Sequence, residues 1–385
     1  MNIGIDIRAL GNKKLTGIGK YIYYAITHLL ELDKENNYYL FSSGLKKDPY
    51  MQLDFNQSNV KHFHIPIANK VLNLNLLLGI NSNICENFFK DIDLFWMPNI
   101  NFCNLSKKYP MILTVHDLSF LHSREFYSLR RRYWHKMVNV EKLVRQADKI
   151  IAVSGNTKRD LMRFFPLTED KITIINPGIN SIPMNEDRAR DILKDFNLPD
   201  KFFIYLGTLE PRKNIESIIK AFDRYHLESP DVHLVVVGKK GWVYRKLLQK
   251  IKKRPFIHYL NYVESPAKDA LYYMSQGLIW PSFYEGFGFP PMEAISYKTP
   301  VIVSYKTSLP ETNKQQALYV DPYNISDIYK ALKFLTEDKE LIKQLKASAK
   351  TFKVPQWENQ AQQILDLFNS YHPRGDHPVG DKKFE

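Results

Sequence analysis

Short apolar runs separated by amphipathic helical stretches recur along most of this chain, and this alternation most narrows the folds that it can adopt. In the first half the runs are Asn2–Ile7, Tyr38–Phe41, Val60–Pro66, Leu94–Pro98, Met111–Val115 and Lys149–Val153. Strands that alternate with helices predict a parallel sheet whose connections are crossover helices. The first half is therefore predicted to be an α/β domain.

The same order of elements starts again after a break at Pro177–Gly178. Residues 179–200 are polar and charged, as expected of a segment that joins two compact units. The later apolar runs are Phe202–Gly207, His233–Gly238, Ile257–Val263, Gly277–Trp280 and Thr299–Val303. The last of these runs and the turn Ser308–Thr312 are expected to complete the edge of a second sheet.

The length of the chain, 385 residues, exceeds what one hydrophobic core usually supports. We therefore predict two Rossmann-like domains, residues 1–178 and 179–354, followed by a helix over residues 355–371. Residues 372–385 have no apolar pattern and are predicted to be disordered.

The composition argues for a globular protein without a membrane span. Hydrophobic residues make up 44% of the chain, but no apolar run reaches the length of about 18 residues that a spanning helix needs. Met1 leads directly into a strand pattern, so no signal peptide is expected. The two cysteines, Cys85 and Cys103, lack metal-ligand spacing. A cytoplasmic protein without structural zinc is expected.

The formal net charge is +13, which favours polyanionic partners such as nucleic acid, anionic lipid or phosphorylated substrates. No zinc finger, RNA-recognition signature or basic zipper is present, which argues against nucleic acid. A helix expected from Tyr127 onward carries Arg130, Arg131 and Arg132 beside aromatic residues. It predicts contact with an anionic membrane surface or a phosphorylated lipid acceptor. The alternative is a solvated helix face.

The stretch Trp280–Ala294 combines two carboxylates with a glycine-containing loop. An apolar strand precedes it, and Pro290 and Pro291 stand where a helix would take its first residues. Glu285 lies in the loop and Glu293 is expected in the first helical turn, so both could face one pocket. The alternative is a Gly/Pro-rich turn whose acids suit the helix dipole.

Polar residues also follow other predicted strands. Arg212 and Lys213 come after Phe202–Gly207 and open a helix, a position that favours anions such as a diphosphate. His116 and Asp117 directly follow Met111–Val115, at the ligand-facing edge of the sheet.

Two other patterns are less informative. The segment Gly17-Ile18-Gly19-Lys20 departs from the dinucleotide fingerprint, because position 22 is isoleucine and the loop does not directly follow its strand. Such a loop can still bring backbone amides near a phosphate, and a simple helix start is the alternative. Asp91-Ile92-Asp93 precedes its strand and is interpreted as surface charge.

Two of these motifs resemble those of a known family. Glu285-x7-Glu293, with Gly-Phe-Gly-Phe-Pro between, resembles the signature of family 4 of the retaining glycosyltransferases, in the mannosyltransferase-like branch that builds bacterial surface polysaccharide. The segment Gly-Thr-Leu-Glu-Pro-Arg-Lys-Asn resembles the diphosphate-binding loop of that family, with Lys213 on the usual lysine. Many members carry arginine where this chain has Thr208, and Arg212 would supply the missing charge.

The resemblance implies the GT-B architecture, two Rossmann-like domains with parallel sheets facing a central cleft and a last helix that crosses back onto the first domain. It implies retaining transfer of a hexose, first of all mannose from GDP-mannose and otherwise a UDP-hexose, to a saccharide or lipid-linked saccharide. Neither a metal nor a cofactor nor a covalent nucleophile is implied. The protein would be cytoplasmic, with peripheral contact to the inner face of the membrane as a further expectation.

The resemblance also implies roles for individual residues. Lys213 and Arg212 would stabilise the diphosphate, Glu285 would bind sugar hydroxyls and Glu293 the ribose. His116 would contact the transferring sugar, and Asp117 would orient its imidazole or meet the acceptor. The backbone near the donor would come from Gly17, Gly19, Gly286, Phe287, Gly288 and Phe289.

Two other functions remain compatible with the sequence. A nucleotide-sugar epimerase of the same two-domain shape would hydrolyse or isomerise the donor without an acceptor. A non-catalytic protein that binds nucleotide sugar or polysaccharide would bind the donor and never release nucleotide. Fold does not separate these functions.

Overall fold

The structure, a computed structural model, describes residues 1–11, 15–45, 55–78, 92–103, 105, 109–241 and 244–371. These residues form two parallel β-sheets with helices around them. The predictions for Cys85, for Asp91 and for a disordered tail over residues 372–385 lie outside the described ranges.

The first sheet has seven strands in the order β3-β2-β1-β4-β5-β6-β7. They are β1 (Asn2–Asp6), β2 (Asn37–Ser43), β3 (Val60–Ile65), β4 (Leu94–Met97), β5 (Met111–Val115), β6 (Lys149–Ala152) and β7 (Ile172–Ile174). The strand order reverses between β1 and β4, which is the switch point where open α/β sheets form their ligand crevice.

The second sheet has six strands in the order β10-β9-β8-β11-β12-β13. They are β8 (Phe202–Leu206), β9 (His233–Val237), β10 (Ile257–Leu260), β11 (Gly277–Trp280), β12 (Val301–Ser304) and β13 (Ala317–Val320). Its switch point lies between β8 and β11. The prediction of two Rossmann-like halves with parallel sheets is confirmed.

Helices connect the strands and cover both sheets. In the first half they are α1 (Gly17–Leu32), α2 (Asn69–Leu78), α3 (Ser119–His122), α4 (Leu129–Val138), α5 (Val140–Gln146) and α6 (Gly155–Phe164). The later helices are α7 (Glu186–Leu193), α8 (Ile215–Glu228), α9 (Tyr244–Lys252), α10 (Ala267–Met274), α11 (Phe289–Ser296), α12 (Leu309–Asn313), α13 (Ile325–Glu337), α14 (Lys339–Thr351) and α15 (Trp357–Asn369). Short 3₁₀ turns occur at Arg8–Leu10, Arg124–Phe126, Glu169–Lys171, Lys194–Phe196, Pro211–Lys213 and Lys314–Gln316.

The central strands are apolar because helices cover them on both faces. All five residues of β5 and all four of β11 are buried. Parallel strands in this position read as continuous hydrophobic runs rather than as an alternating pattern. Their polar functional groups must therefore lie beyond the strand ends.

The edge of the second sheet differs from the prediction. Strand β12 lies inside the sheet, and β13 forms the edge instead of the segment Ser308–Thr312, most of which belongs to helix α12. The sequence pattern missed β13 because this strand has only four residues, among which Tyr319 is exposed. The strand predicted to reach Val263 also ends earlier, at Leu260.

The last helix, α15, packs on the first half of the chain although it follows the second half in sequence. Its Trp357 ring lies 5.3 Å from the Tyr24 ring of α1, and its Phe368 ring lies 5.6 Å from that of Trp96 in β4. A Cβ atom on Gly178 would approach Trp357 Cγ to 2.4 Å, so only glycine fits there. This contact brings the end of the first half against the start of α15.

Candidate donor-sugar site

Polar side chains from both sheets meet where the carboxyl ends of the strands face each other. Arg212 and Lys213 lie in the turn after β8, and Glu285 lies in the loop after β11. From the other half, His116 and Asp117 follow β5. The backbone at Gly286 approaches His116 so closely that a Cβ atom on Gly286 would lie 1.9 Å from the His116 carbonyl oxygen.

The centre of this site is the carboxylate of Glu285, which two cations hold. Lys213 Nζ lies 2.6 Å from Glu285 Oε1 and 2.8 Å from Oε2, and Arg212 Nη1 lies 3.2 Å from Oε2. Glu285 is 5% exposed and Lys213 is 9% exposed. Burial raises the pKa of Glu285, but the charges of Lys213 and Arg212 outweigh it and hold that pKa below its ordinary range. Glu285 is therefore ionised at neutral pH.

Further contacts fix the two cations. Arg212 Nη1 donates to the Tyr284 carbonyl at 2.6 Å, and Arg212 Nη2 donates to Glu210 at 3.1 Å. Lys213 Nζ lies 4.7 Å from the centre of the Trp280 ring, within the range of a cation–π contact. The positions of both positive charges are thus set before any substrate arrives.

On the facing side, Asp117 is held by a residue of its own half of the chain. Asp117 accepts hydrogen bonds from Ser119 N (3.0 Å) and Ser119 Oγ (2.5 Å). Burial raises the pKa of Asp117, but the charge of Arg212 and the hydrogen bonds from Ser119 hold it below its ordinary range. The positive charge of Arg212, in the second half, thus stabilises the negative charge of Asp117, in the first half.

His116 is a neutral imidazole with a defined orientation. Its Nε2 lies 2.8 Å from the Pro98 carbonyl, so this nitrogen carries the proton and Nδ1 is the acceptor. The ring meets the edge of Tyr21 at 4.6 Å, and burial lowers the pKa of His116. At neutral pH this side chain can accept a hydrogen bond without adding charge.

The second carboxylate of the motif, Glu293, binds a different set of partners. Its Oε1 lies 2.8 Å from Lys268 Nζ, and its Oε2 accepts a hydrogen bond from Tyr272 at 2.9 Å. Burial raises the pKa of Glu293, while Lys268 and, from helix α1, Lys20 lower it below its ordinary range. Helix α11 begins at Phe289, so Glu293 lies in its second turn and not in the first turn as predicted. Its side chain therefore reaches α10 rather than the cations that hold Glu285.

Comparison with known proteins finds a family model that matches each half of the chain. The family described as "Glycosyltransferase Family 4" matches residues 16–181, and the family described as "Glycosyl transferases group 1" matches residues 189–352. Together the two matches cover most of both halves.

The chain belongs to the family 4 glycosyltransferases.

Relatives of this glycosyltransferase include two mannosyltransferases of Escherichia coli. It is 31% identical over 225 residues to O-antigen chain mannosyltransferase B of Escherichia coli, over 56% of this chain and 58% of that protein. It is 26% identical over 274 residues to the serotype-specific mannosyltransferase WbdA of Escherichia coli, over 67% of this chain and 33% of that protein. The match thus spans little more than half of one relative and a third of the other.

The fold of the glycosyltransferase has clear counterparts among solved structures. Sucrose-phosphate synthase from Thermosynechococcus elongatus superposes with a TM-score of 0.74 at 18% identity, over 96% of this chain and 98% of that protein. The similarity shows the fold, which is the GT-B arrangement of two Rossmann-like halves. The GT-B prediction is confirmed.

Of the twelve residues predicted for the site, the structure brings six together: His116, Asp117, Arg212, Lys213, Glu285 and Gly286. The glycines at the start of α1 have different environments. Gly17 is exposed, and a Cβ atom added there would have no neighbour within 4 Å among the described residues, whereas Gly19 N donates to Thr16 Oγ1 at 3.2 Å. Gly288 adopts a φ of 93°, which favours glycine. Phe287 is buried, and the Phe289 ring stacks on Trp357 at 6.4 Å. The roles assigned to all these residues stay predictions.

Four residues that contact the candidate site were not predicted from the sequence. Glu210 holds Arg212 and lies in the same motif two residues earlier, so the motif offered a signal. Thr307, at a φ of 57°, accepts a hydrogen bond from Glu285 N at 3.0 Å. Lys268 and Tyr272 hold Glu293 from helix α10, and no sequence motif marked them.

Within the described ranges, no group of three or more His, Cys, Asp or Glu side chains is arranged to hold a metal ion. The acidic pair Asp91 and Asp93 is described only in part, and Asp93 Oδ2 accepts a hydrogen bond from Asn2 N at 2.7 Å. Asp93 thus binds the start of β1, at the opposite end of the strands from His116. Metal-independent transfer stays a prediction.

Proposed function

We propose that this chain transfers a hexose from a nucleoside diphosphate sugar to a saccharide acceptor, with retention of the anomeric configuration. Mannose from GDP-mannose is the first choice, because the relatives named above are mannosyltransferases. The observation that carries the proposal is the buried carboxylate of Glu285 held between Lys213 and Arg212, opposite His116 and Asp117.

The chemistry of the leaving group accounts for the presence of two positive side chains, Lys213 and Arg212, in the site. Departure of a nucleoside diphosphate places negative charge on the bridging oxygen, and fixed positive groups stabilise that charge without proton transfer. Lys213 and Arg212 lie at the start of a helix beyond a strand end, where anions are already favoured. No metal is required for this role when two positive side chains are preplaced.

The carboxylates suit recognition of the donor hydroxyls. An ionised carboxylate accepts hydrogen bonds more strongly than a neutral group, and both glutamates have depressed pKa values. Glu285 would bind hydroxyls of the hexose, and Glu293 would bind those of the ribose. The two sites are separate in space, as two parts of one donor molecule require.

The acceptor would enter beside Asp117. Ser119 Oγ, which donates to Asp117, also hydrogen-bonds the Tyr127 hydroxyl. Beyond Tyr127, a cavity of about 500 Å³ is lined by Ser128, Arg130, Arg131, Trp134 and His135. Arg131 Nη1 lies 3.9 Å from Glu210, the residue that holds Arg212, so the cavity lies next to the proposed donor site.

One assay tests the proposal against its rivals. The protein is incubated with GDP-mannose, UDP-glucose and related donors, with and without saccharide acceptors, and nucleotide release and sugar products are followed together. We expect nucleotide release that depends on the acceptor and yields an α-linked glycoside from an α-linked donor. Isomerised donor without acceptor would indicate an epimerase, and tight donor binding without turnover would indicate a binding protein.

We also propose that helix α4 contacts an anionic membrane surface. No helix in the described part of the chain is long and apolar enough to cross a bilayer. Leu129 is 80% exposed and Tyr133 is 66% exposed, and the first turn of α4 carries Arg130, Arg131 and Arg132. Positive charge at a helix N-terminus opposes the helix dipole, so folding does not favour this placement. Binding to anionic headgroups, with Leu129 and Tyr133 at the interface, would offset that cost.

Reversing two charges of this surface is expected to weaken membrane binding at least about tenfold, since each basic residue near an anionic surface contributes about 1 kcal/mol. The variant is Arg130→Glu with Arg132→Glu, measured by co-sedimentation with phosphatidylcholine vesicles that contain or lack phosphatidylglycerol. Lys346→Glu with Lys350→Glu, on the exposed face of α14, makes the same change of net charge elsewhere. Equal losses in both variants would show a general charge effect and contradict the assignment to α4.

A further inference from the structure

Helix α6 of the first half is contacted near its N-terminus by two side chains from the second half. The Glu311 carboxylate accepts hydrogen bonds from Gly155 N (2.5 Å) and Asn156 N (3.0 Å). The Tyr284 hydroxyl donates to Asp160, one turn further along α6. These contacts join residues more than 120 positions apart in sequence.

The contact of Glu311 uses amides that the helix cannot satisfy. The first amides of an α-helix have no partner within the helix, and its dipole favours an anion there. Ser154 Oγ caps Thr157 N at 3.1 Å, which leaves the amides of Gly155 and Asn156 for Glu311. A side chain in place of Gly155 would press its Cβ to 3.0 Å from Glu311.

In the second contact, the Tyr284 hydroxyl donates to a buried carboxylate, that of Asp160. Its side chain is buried, and it accepts hydrogen bonds from His122 Nε2 (2.8 Å) and Asn156 Nδ2 (3.2 Å) as well as from Tyr284. A buried carboxylate needs such donors, because burial without them is costly. Tyr284 is itself 4% exposed, and burial together with the charges of Asp117 and Asp160 raises its pKa, so the hydroxyl keeps its proton.

Tyr284 is directly connected to the proposed donor site. Its carbonyl accepts the 2.6 Å hydrogen bond from Arg212, and the next residue is Glu285. On the other side of Glu285, the Gly286 carbonyl lies 3.4 Å from Thr157 Oγ1 of α6. Helix α6 therefore contacts the residues on both sides of Glu285.

We propose that Tyr284 and Asp160 are positioning residues that hold the loop carrying Glu285 in place when the two halves close. Glu311 secures the same helix at its N-terminus. Neither Tyr284 nor Asp160 needs to contact the substrate for this role. The effect on catalysis rests on the proposed function, whereas the contact between the halves does not.

The first test replaces Tyr284 by phenylalanine, which removes the hydroxyl and keeps the ring. We expect kcat for hexose transfer to fall about tenfold, near the lower end of the range for loss of one hydrogen bond to a charged group. The Kd for the nucleoside diphosphate should change less than about twofold, because the second half supplies the residues assigned to it. Wild-type kcat in a folded Tyr284→Phe protein would overturn the proposal.

A matched control is available in the second half. The Tyr329 hydroxyl also donates to a carboxylate, that of Glu228, and this hydrogen bond joins α13 to the end of α8 within the second half. Tyr329→Phe is expected to leave kcat unchanged. An equal fall of kcat in Tyr284→Phe and Tyr329→Phe would overturn the positioning role, because it would reflect stability alone.

A measurement without substrate separates this inference from the proposed function. We expect Tyr284→Phe to speed amide hydrogen exchange in the first turn of α6, and Tyr329→Phe to leave it unchanged. A cycle of Tyr284→Phe and Asp160→Ala should be non-additive in this exchange, since each change removes one partner of the same hydrogen bond. If the wild-type protein transfers no hexose, the exchange data still decide whether the contact holds. Unchanged exchange, or additive effects, would overturn the inference.

Discussion

Replacing Lys213 by alanine is expected to lower kcat/KM for hexose transfer about a hundredfold. Lys213 Nζ is the closest cation to Glu285, at 2.6 Å, and would lie beside the leaving diphosphate. Loss of one preplaced charge that stabilises a developing oxyanion has effects of this size, about 100-fold to 1000-fold. Initial rates of nucleotide release, measured over a range of donor concentrations, give kcat/KM for both proteins.

The free energy of unfolding of the Lys213→Ala variant distinguishes a loss of catalysis from a loss of folded protein. Arg212 still pairs with Glu285 in the variant, so we expect the free energy of unfolding to fall by about 1–3 kcal/mol rather than by the larger amount of an unpaired buried charge. Lys333→Ala is the control, since Lys333 Nζ lies 2.8 Å from Glu228 on the surface. It should cost less than about 1 kcal/mol and leave transfer intact. A folded Lys213→Ala protein with wild-type kcat/KM would contradict the donor-site assignment.

Replacing Gly286 by alanine is expected to lower kcat about a hundredfold while the protein keeps its affinity for the nucleotide. The new Cβ would lie 1.9 Å from the His116 carbonyl oxygen and 2.9 Å from Asp117 Cβ. The backbone at His116 cannot move aside as a flexible side chain can. The two halves must therefore separate, or the loop that carries Gly286 must move. A misplacement of about 1 Å at reacting groups costs about 100-fold. Single-turnover rates and nucleotide titrations of the variant measure the two quantities.

The control for this substitution is Gly11→Ala. Gly11 is exposed, and the nearest atom to its added Cβ in the described part of the chain is the Arg8 carbonyl oxygen, at the ordinary contact distance of 3.4 Å. We expect wild-type turnover for Gly11→Ala. Wild-type kcat for Gly286→Ala would show that the close approach to His116 is not part of the active arrangement.

Sequence patterns predicted the strand ends well, because a buried parallel strand must be apolar and its polar neighbours must follow it. His116 and Asp117 were therefore placed at the ligand-facing edge without any knowledge of their partners, and β5 ends at Val115 as that placement requires. The pattern fails where a strand is short and partly exposed. Strand β13 is such a case, and the edge of the second sheet was predicted wrongly for that reason.

The partners of the charged residues were harder to predict. Glu285 binds Lys213 across 72 positions, and Glu311 binds α6 across more than 150. A carboxylate after a strand indicates a polar site, but its partner depends on which strands lie side by side in a sheet, as β8 and β11 do, or on how the two halves pack. The same limit applies to Glu293, whose partner Lys268 lies on a helix that no motif marks.

Gly286 shows most clearly the difference between what the local sequence predicts and what the tertiary structure decides. The glycines of the loop after β11 suggested that backbone comes close to a ligand, and in the structure the nearest atom to a Cβ on Gly286 is a carbonyl oxygen of the other half. Local pattern was enough for the two parallel sheets and the family motifs, because backbone preference and burial act over a few residues. The pairing of Glu285 with its cations depends on β8 and β11 lying side by side in the second sheet. The contacts of Glu311 and Tyr284 with α6, and of Gly286 with His116, depend on packing between the halves. Such packing follows from the shapes of whole surfaces, which no short segment encodes.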